Sequence, residues 1–164
     1  MRTSNHPSRS QIDALGARLR TGEIEIDDLR LLDAYRRSFS EPYQVVVGTI
    51  RNEMRHEPTG RPAKSTAAII DKLRRESIRL RQVQDIAGAR IIVNDIQQQD
   101  ELIIDLERLF PLATIFDRRI RPSHGYRAIH VVVRVEGQPI EVQVRTPLQH
   151  LWAEVSEKHL RCCR

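Results

Sequence analysis

Apolar positions recur at helical spacing through the first third of the chain. Ile12, Leu15 and Leu19 share a face, Ser10 is placed to cap the start and Gly22 to end it, so the pattern predicts a helix over 11–21. A second helical stretch begins near Asp27, with Leu29, Leu32 and Phe39 on one stripe. It is interrupted or restarted at Glu41-Pro42 and continues through Tyr43, Val46, Val47, Ile50 and Met54. Two prolines and a glycine mark 56–63 as a loop, after which Ile69, Ile70 and Leu73 predict a third helix over 66–76. The period then changes. Residues 89–93 form a short β-branched run that reads as a buried strand, 98–110 an amphipathic helix carrying Leu102, Ile103, Leu106 and Leu109, and 112–116 a second strand. Beyond a loop at 117–124, strands over 126–135 and 139–146 are joined at Glu136-Gly137-Gln138, a hairpin signal, and Pro147 opens a last helix to about Lys158. The expected fold is α+β, a mixed β-sheet flanked by helices.

Composition narrows the class. A length of 164 residues predicts one domain, and 40% hydrophobic with 30% charged residues describes a chain that buries a core beneath an ordinary polar surface. Met1 to Ser10 is polar and no apolar run approaches a membrane span, so the expectation is a cytoplasmic protein without a membrane partner. Cys162 and Cys163 are adjacent at the extreme carboxy terminus, where they neither close a long loop nor complete a zinc site. The six histidines form no i, i+4 pair and no HExxH arrangement, and the chain has no GxxxxGK[ST] loop.

Charge location is more telling than its total. Between Arg61 and Arg90 eight basic residues face three acidic ones, a local balance of +5 that equals the net charge of the whole chain. Such a cluster suits a polyanion such as a nucleotide or nucleic acid, although a solvated, salt-bridged helix face has the same composition. Lys72 and Arg75 are three apart on the third predicted helix and Lys64 lies at its mouth, so the three can face one ligand.

In the last strand the alternation is strict: Ile140, Val142 and Val144 point one way, Glu141, Gln143 and Arg145 the other. A polar row of this kind is also what the solvent side of an antiparallel sheet looks like. His130 and Arg134 share a parity on the partner strand, the turn Pro122-Ser123-His124-Gly125-Tyr126 presents an aromatic ring at a strand entrance, and His150 follows near the same edge. Asp85 precedes a strand in Asp85-Ile-Ala-Gly-Ala-Arg90. With Glu141 on a neighbouring strand it would make a carboxylate pair suited to magnesium, with Lys64, Lys72 and Arg75 supplying charge for phosphates.

The order Lys64...Lys72-Leu-Arg-Arg75, Asp85-Ile-Ala-Gly-Ala-Arg90, Gly125-Tyr-Arg-Ala-Ile-His130 and Glu141-Val-Gln-Val-Arg-Thr146, followed by Trp152-Ala-Glu154, resembles the synthetase domain of RelA/SpoT proteins, especially the stand-alone small alarmone synthetases. The resemblance covers about Arg61 to Lys158. It implies a nucleotidyltransferase-like fold and transfer of the β,γ-pyrophosphate of ATP to the 3′-hydroxyl of GDP or GTP. By the same resemblance Asp85 and Glu141 are the catalytic and Mg2+-binding carboxylates, and Lys64, Lys72 and Arg75 contact the ATP triphosphate. Arg90, with Arg61, stacks on adenine; Tyr126 stacks on the acceptor guanine, and His130, Gln143 and His150 line the acceptor site. Guanidinium and phenol rings suit base stacking, and Glu141 is placed by this reading to take the 3′-hydroxyl proton.

Two positions depart from the family pattern. Ala68 stands where the family has a serine, leaving Ser65 or Thr66 as substitutes, and Pro62 displaces an arginine so that Arg61 stands one residue earlier. The expected organisation is a helical segment over 1–60 packed on a synthetase core at 61–158, followed by a short irregular tail at 159–164 that reads as truncated. Two other functions stay open at this level. One is a toxin-type relative that pyrophosphorylates the 3′ end of tRNA, with Arg118, Arg119 and Arg121 serving RNA, and the other is a catalytically inactive nucleotide-binding remnant. The sequence also allows a homo-oligomer.

Overall fold

The computed structural model describes residues 7–122 and 125–162, with side chains through residue 156. The first six residues, Ser123 and His124 of the predicted turn, Cys163, and the side chains of His159 and Cys162 lie outside the described residues.

Three helices come first: α1 (Arg9–Thr21), α2 (Ile26–Arg37) and α3 (Ser40–Met54). Ser8, not Ser10, caps α1; its side chain accepts from the Gln11 amide while the Gln11 side chain returns the bond, a capping box that Ser8-x-x-Gln11 spells out. Gly22 ends the helix in the left-handed conformation, as expected. The restart predicted at Glu41-Pro42 is real: α2 ends at Arg37, and Pro42 sits in the first turn of α3, where its missing N–H costs nothing. Leu29 departs from the predicted stripe and is exposed, whereas Leu32 and Phe39 are buried.

The sheet has five strands in the order β1-β2-β5-β4-β3: β1 (Thr59–Arg61), β2 (Ala87–Ile92), β3 (Thr114–Asp117), β4 (Ile129–Val135) and β5 (Gln138–Arg145). Only β2 and β5 run parallel; the other pairs are antiparallel. β1 corrects the prediction of a loop over 56–63. It is a fully exposed edge strand of three residues next to Pro62, too short and too polar to carry a strand signal. A 3-10 turn at Leu80–Gln82 was likewise unmarked. β3 begins two residues later than predicted, because Leu112 is almost fully exposed, and β4 begins at Ile129 rather than Tyr126.

Helix α4 (Thr66–Glu76) lies before the 3-10 turn, α5 (Ile96–Leu109) connects β2 to β3, and α6 (Pro147–Cys162) follows β5. The last helix runs four residues past Lys158, so the irregular tail predicted after it is helical as far as Cys162. The back of the sheet carries Ala87, Ala89, Ile91, Val131, Val133, Ile140, Val142 and Val144. It packs into one core with Leu15, Leu19, Phe39, Val46 and Ile50 from the first three helices and Ile69 and Leu73 from α4. Burying aliphatic side chains of this size stabilises the fold by about 1.5–3 kcal/mol each. The front of the sheet keeps its polar row.

Candidate active site

The β2–β5 pairing places Gly88 opposite Glu141 and Arg90 opposite Gln143, while the β4–β5 pairing sets His130 opposite Gln143 and Val132 opposite Glu141. Residue 88 has to be glycine for β2 to lie this close: a Cβ there would stand 2.9 Å from the Glu141 carbonyl oxygen. Asp85 reaches the same place from the segment entering β2. The amide of Lys64 donates to the Ile86 carbonyl at 2.6 Å, tying the mouth of α4 to that segment.

Two carboxylates therefore face one cavity of about 350 Å³, whose lining includes Lys72, Asp85, His130, Glu141 and Gln143. Asp85 is bracketed by cations, with Lys64 Nζ 2.5 Å from Oδ2 and Lys72 Nζ 3.0 Å from Oδ1. Burial pushes its pKa up, but the two lysines, Lys72 foremost, hold it below the ordinary carboxylate value. Glu141 is held by hydrogen bonds, with His130 Nδ1 2.7 Å from Oε1 and Gln143 Nε2 donating to Oε2 at 2.7 Å. Burial again pushes upward and is outweighed by the His130 and Gln143 hydrogen bonds, so Glu141 too is lowered, against a counter-push from the Asp85 charge.

The placing of two hard-oxygen donors on one cavity is the observation that bears on a metal, because a divalent cation takes such donors. Among the described residues no group of three or more His, Cys, Asp or Glu side chains forms a closed cage. Magnesium does not need one, because it is commonly held by one or two carboxylates together with substrate phosphates. The residues present fit it.

Tyr126 joins the site through its hydroxyl, 2.8 Å from His130 Nε2. Arg145, a residue the sequence placed on the polar row and gave no role, donates from Nη2 to the Tyr126 hydroxyl and to Gln143 Oε1, both at 2.8 Å.

Residues 60–161 match the family described as "Region found in RelA / SpoT proteins". The chain belongs to the RelA/SpoT family. An uncharacterized protein of Mycobacterium tuberculosis is 39% identical over 99 residues, covering 58% of this chain and 36% of that protein. The GTP pyrophosphokinase YjbM of Bacillus subtilis is 34% identical over 152 residues, covering 77% of this chain and 69% of YjbM. The chain thus spans about a third of the first of these relatives. Among solved structures, the small alarmone synthetase 1 of Bacillus subtilis is similar at TM-score 0.57 and 27% identity, over 75% of this chain and 73% of that one. The same protein bound to its product pppGpp matches at TM-score 0.56 and 30% identity, over 75% and 74% of the two chains. The α+β architecture with a mixed five-stranded sheet is thus the one shared with these RelA/SpoT-family structures.

The remaining residues singled out by the RelA/SpoT pattern lie at different distances from the cavity. Arg90 and Arg61 share the front face, each in register with the site: Arg90 pairs with Gln143, and Arg61 pairs with Gly88, which in turn pairs with Glu141. Arg61 itself is exposed on the edge strand. Arg75 is exposed at the end of α4 and outside the cavity lining, 3.3 Å from Glu76, which lines the cavity and lies 3.8 Å from Lys72. His150 turns toward Glu154 on its own helix, 3.7 Å away, and is not in the cavity lining. Arg134, expected in the polar row with His130, sits opposite Pro139 at the hairpin end. Ser65, the candidate substitute for the family serine at Ala68, is engaged as the N-cap of α4, its hydroxyl accepting from the Ala68 amide. Gln99 carried no sequence signal of a role. It is fully buried and bridges Val144 O at 2.7 Å and Gln149 Oε1 at 3.0 Å, clamping α5 to the junction of β5 and α6. A larger cleft of about 570 Å³ at the hairpin end includes Arg9, Arg134 and Glu136 but neither carboxylate of the pair.

Proposed function

We propose that this protein transfers the β,γ-pyrophosphate of ATP to the 3′-hydroxyl of GDP or GTP and releases AMP. The observation that carries this reading is the pair of ionised carboxylates on one cavity, Asp85 between two lysines and Glu141 linked through His130 to Tyr126. Membership of the RelA/SpoT family and similarity to a GTP pyrophosphokinase and to a small alarmone synthetase bound to pppGpp support it.

In this reading Lys64 and Lys72 pass from Asp85 to the donor phosphates, which bring more negative charge than a single carboxylate. Arg75 approaches from the end of α4, and Arg90 and Arg61, on the two strands beside β5, offer guanidinium planes to adenine. Tyr126 stacks on the acceptor base while His130 and Gln143 flank it, and His150 takes a peripheral place. The 3′-oxygen forms a bond to the β-phosphorus as the bond from that phosphorus to the α-phosphate's bridging oxygen breaks, and Glu141 accepts the hydroxyl proton. Asp85 and Glu141 would hold magnesium, which when bound supplies neutralisation of charge on the phosphates and on the departing AMP.

We read the three N-terminal helices, α1 to α3, as a layer supporting a synthetase core that begins near Arg61, and the site of action as the cytoplasm. Among the described residues no helix is long and apolar enough to cross a membrane. Leu148, Leu151, Trp152 and Val155 form an exposed apolar stripe on α6, which supports a homo-oligomer. The test is incubation with γ-labelled ATP and magnesium beside GMP, GDP, GTP or deacylated tRNA, with a Glu141→Gln control. Label reaching a guanine nucleotide only with the unaltered chain is expected. Label on tRNA instead, or on no acceptor, overturns the reading.

A further inference from the structure

Five side chains at the acceptor end close into a ring. Arg145 donates to Tyr126, Tyr126 meets His130 Nε2, His130 Nδ1 meets Glu141, Gln143 donates to Glu141, and Arg145 donates to Gln143, with every contact between 2.7 and 2.8 Å. Chemistry fixes the direction of most of these bonds. A carboxylate only accepts, so Glu141 takes a hydrogen from His130 Nδ1 and from Gln143 Nε2, while the Tyr126 hydroxyl and His130 Nε2 share one hydrogen bond. Arg145 only donates, so its Nη2 meets the oxygen of Tyr126 and the oxygen of Gln143, which turns the Gln143 amide nitrogen toward Glu141. One nitrogen closes the circuit at both ends.

Arg145 is also the most firmly seated member. It is 3% exposed on β5, its guanidinium carbon lies 5.1 Å from the centre of the Tyr126 ring, and the strand is followed directly by the Gln99–Gln149 clamp. Tyr126 is not so seated. It lies ahead of β4, directly after Gly125, which is at φ 77° and packs against the Trp152 indole. Tyr126 has only a single β-bridge in its backbone, so its side-chain bonds add the hold that a full strand ladder gives His130 and Glu141.

We propose that Arg145 is the positioning residue of the acceptor site, holding the Tyr126 ring in fixed relation to the Glu141 carboxylate so that base recognition and proton acceptance occur on one rigid set. The proposal rests on the reading that Tyr126 meets the acceptor base and Glu141 the reacting hydroxyl. Without Arg145, Tyr126 keeps only its bond to His130, Gln143 is free to flip, and the reacting groups lose register; displacements of about 1 Å cost about 100-fold in rate.

The test combines kinetics with a probe that does not need turnover. The chain has three tyrosines, Tyr35, Tyr43 and Tyr126, so fluorotyrosine labelling gives three fluorine resonances, assigned with Tyr126→Phe. Arg145→Met is expected to shift and broaden the Tyr126 resonance alone and to lower kcat/KM for the acceptor about 10–100-fold, with the KM for ATP within about twofold. Arg145→Lys, which keeps a donor cation, is expected to recover part of both and guards against a methionine variant that fails to fold. Combining Arg145→Met with Tyr126→Phe should cost less than the two separate losses combined. A Tyr126 resonance that stays in place, or equal rises in both KM values with all three resonances moving, overturns the proposal. If the unaltered chain transfers nothing to guanine nucleotides while the Tyr126 resonance still depends on Arg145, the functional reading fails and the positioning contact stands.

Discussion

Asp85 and Glu141 share a cavity and a protonation state but are kept ionised by different means. Asp85 is neutralised by two ammonium groups whose side chains are only 12% and 19% exposed. Glu141 is surrounded by a hydrogen-bonded ring that reaches Arg145 only through Gln143 or through Tyr126 and His130. The ionic side is built to exchange partners, because a lysine on a flexible stem trades a carboxylate for a phosphate without loss of charge. The ring side is built to keep them: its members are planar groups on β5, on β4 and just ahead of β4, each hydrogen-bonded to the next. Under the proposed transfer from a polyanionic donor to a hydroxyl-bearing acceptor, the site has one half that yields and one half that holds.

Substitutions separate the two halves. The largest effect is expected from Glu141→Gln. It keeps an acceptor for His130 but removes the charge and sets an amide nitrogen against that of Gln143, so the transfer rate should fall about 1,000-fold while the melting temperature falls only slightly; a large loss of melting temperature would mean that the ring is held by charge. Asp85→Asn should behave oppositely in stability. Leaving two largely buried ammonium groups without their shared counter-charge costs about 3 kcal/mol, read as a lower urea midpoint in the absence of nucleotide. Equal midpoints for the Asp85 and Glu141 variants would erase the distinction. Lys72→Met comes next, with a rise of about 10-fold in the KM for ATP and none in that for the acceptor.

The smallest effect concerns an ion pair away from the chemistry. Asp28 is buried beside Arg18 at 2.6 Å, and that guanidinium holds its carboxyl below the ordinary value of 3.8. A depressed folded-state pKa contributes stability that is present above the unfolded value and is lost as pH falls through the folded one. Asp28→Asn should therefore flatten part of the stability loss below about pH 4, with no change in either KM; urea midpoints between pH 7 and pH 3 would show it. An unchanged acid limb would mean that the Arg18 pair contributes little in solution.

Most of the helices and the three long strands were legible because their signals are repetitive. The strict alternation of Ile140 to Arg145 predicted which face of β5 is buried, and Ile140, Val142 and Val144 are indeed fully buried. The features that escaped are those whose stability is borrowed. β1 has three exposed residues and exists through its ladder with β2, and the 3-10 turn at Leu80–Gln82 is carried by a buried Leu80. Overprediction had the same root: Leu29 and Leu112 are apolar but stay exposed, outside the core.

Motif order alone pointed to the RelA/SpoT family and to eleven site residues, because residue type and spacing are local properties. Which of those residues meet was decided by strand order. Placing β5 between β2 and β4 brings Asp85 and Lys72 from one side and His130 and Tyr126 from the other onto Glu141, and leaves Arg75 and His150 outside the cavity lining. Arg145 shows the limit most plainly. Alternation placed it on the polar face, yet its role as the shared donor of a closed ring depends on five side chains from three separate segments. The physical reason is that periodicity fixes the direction of a side chain along one element, whereas a hydrogen bond needs two atoms within about 3 Å, a condition that only the packing of several elements can satisfy.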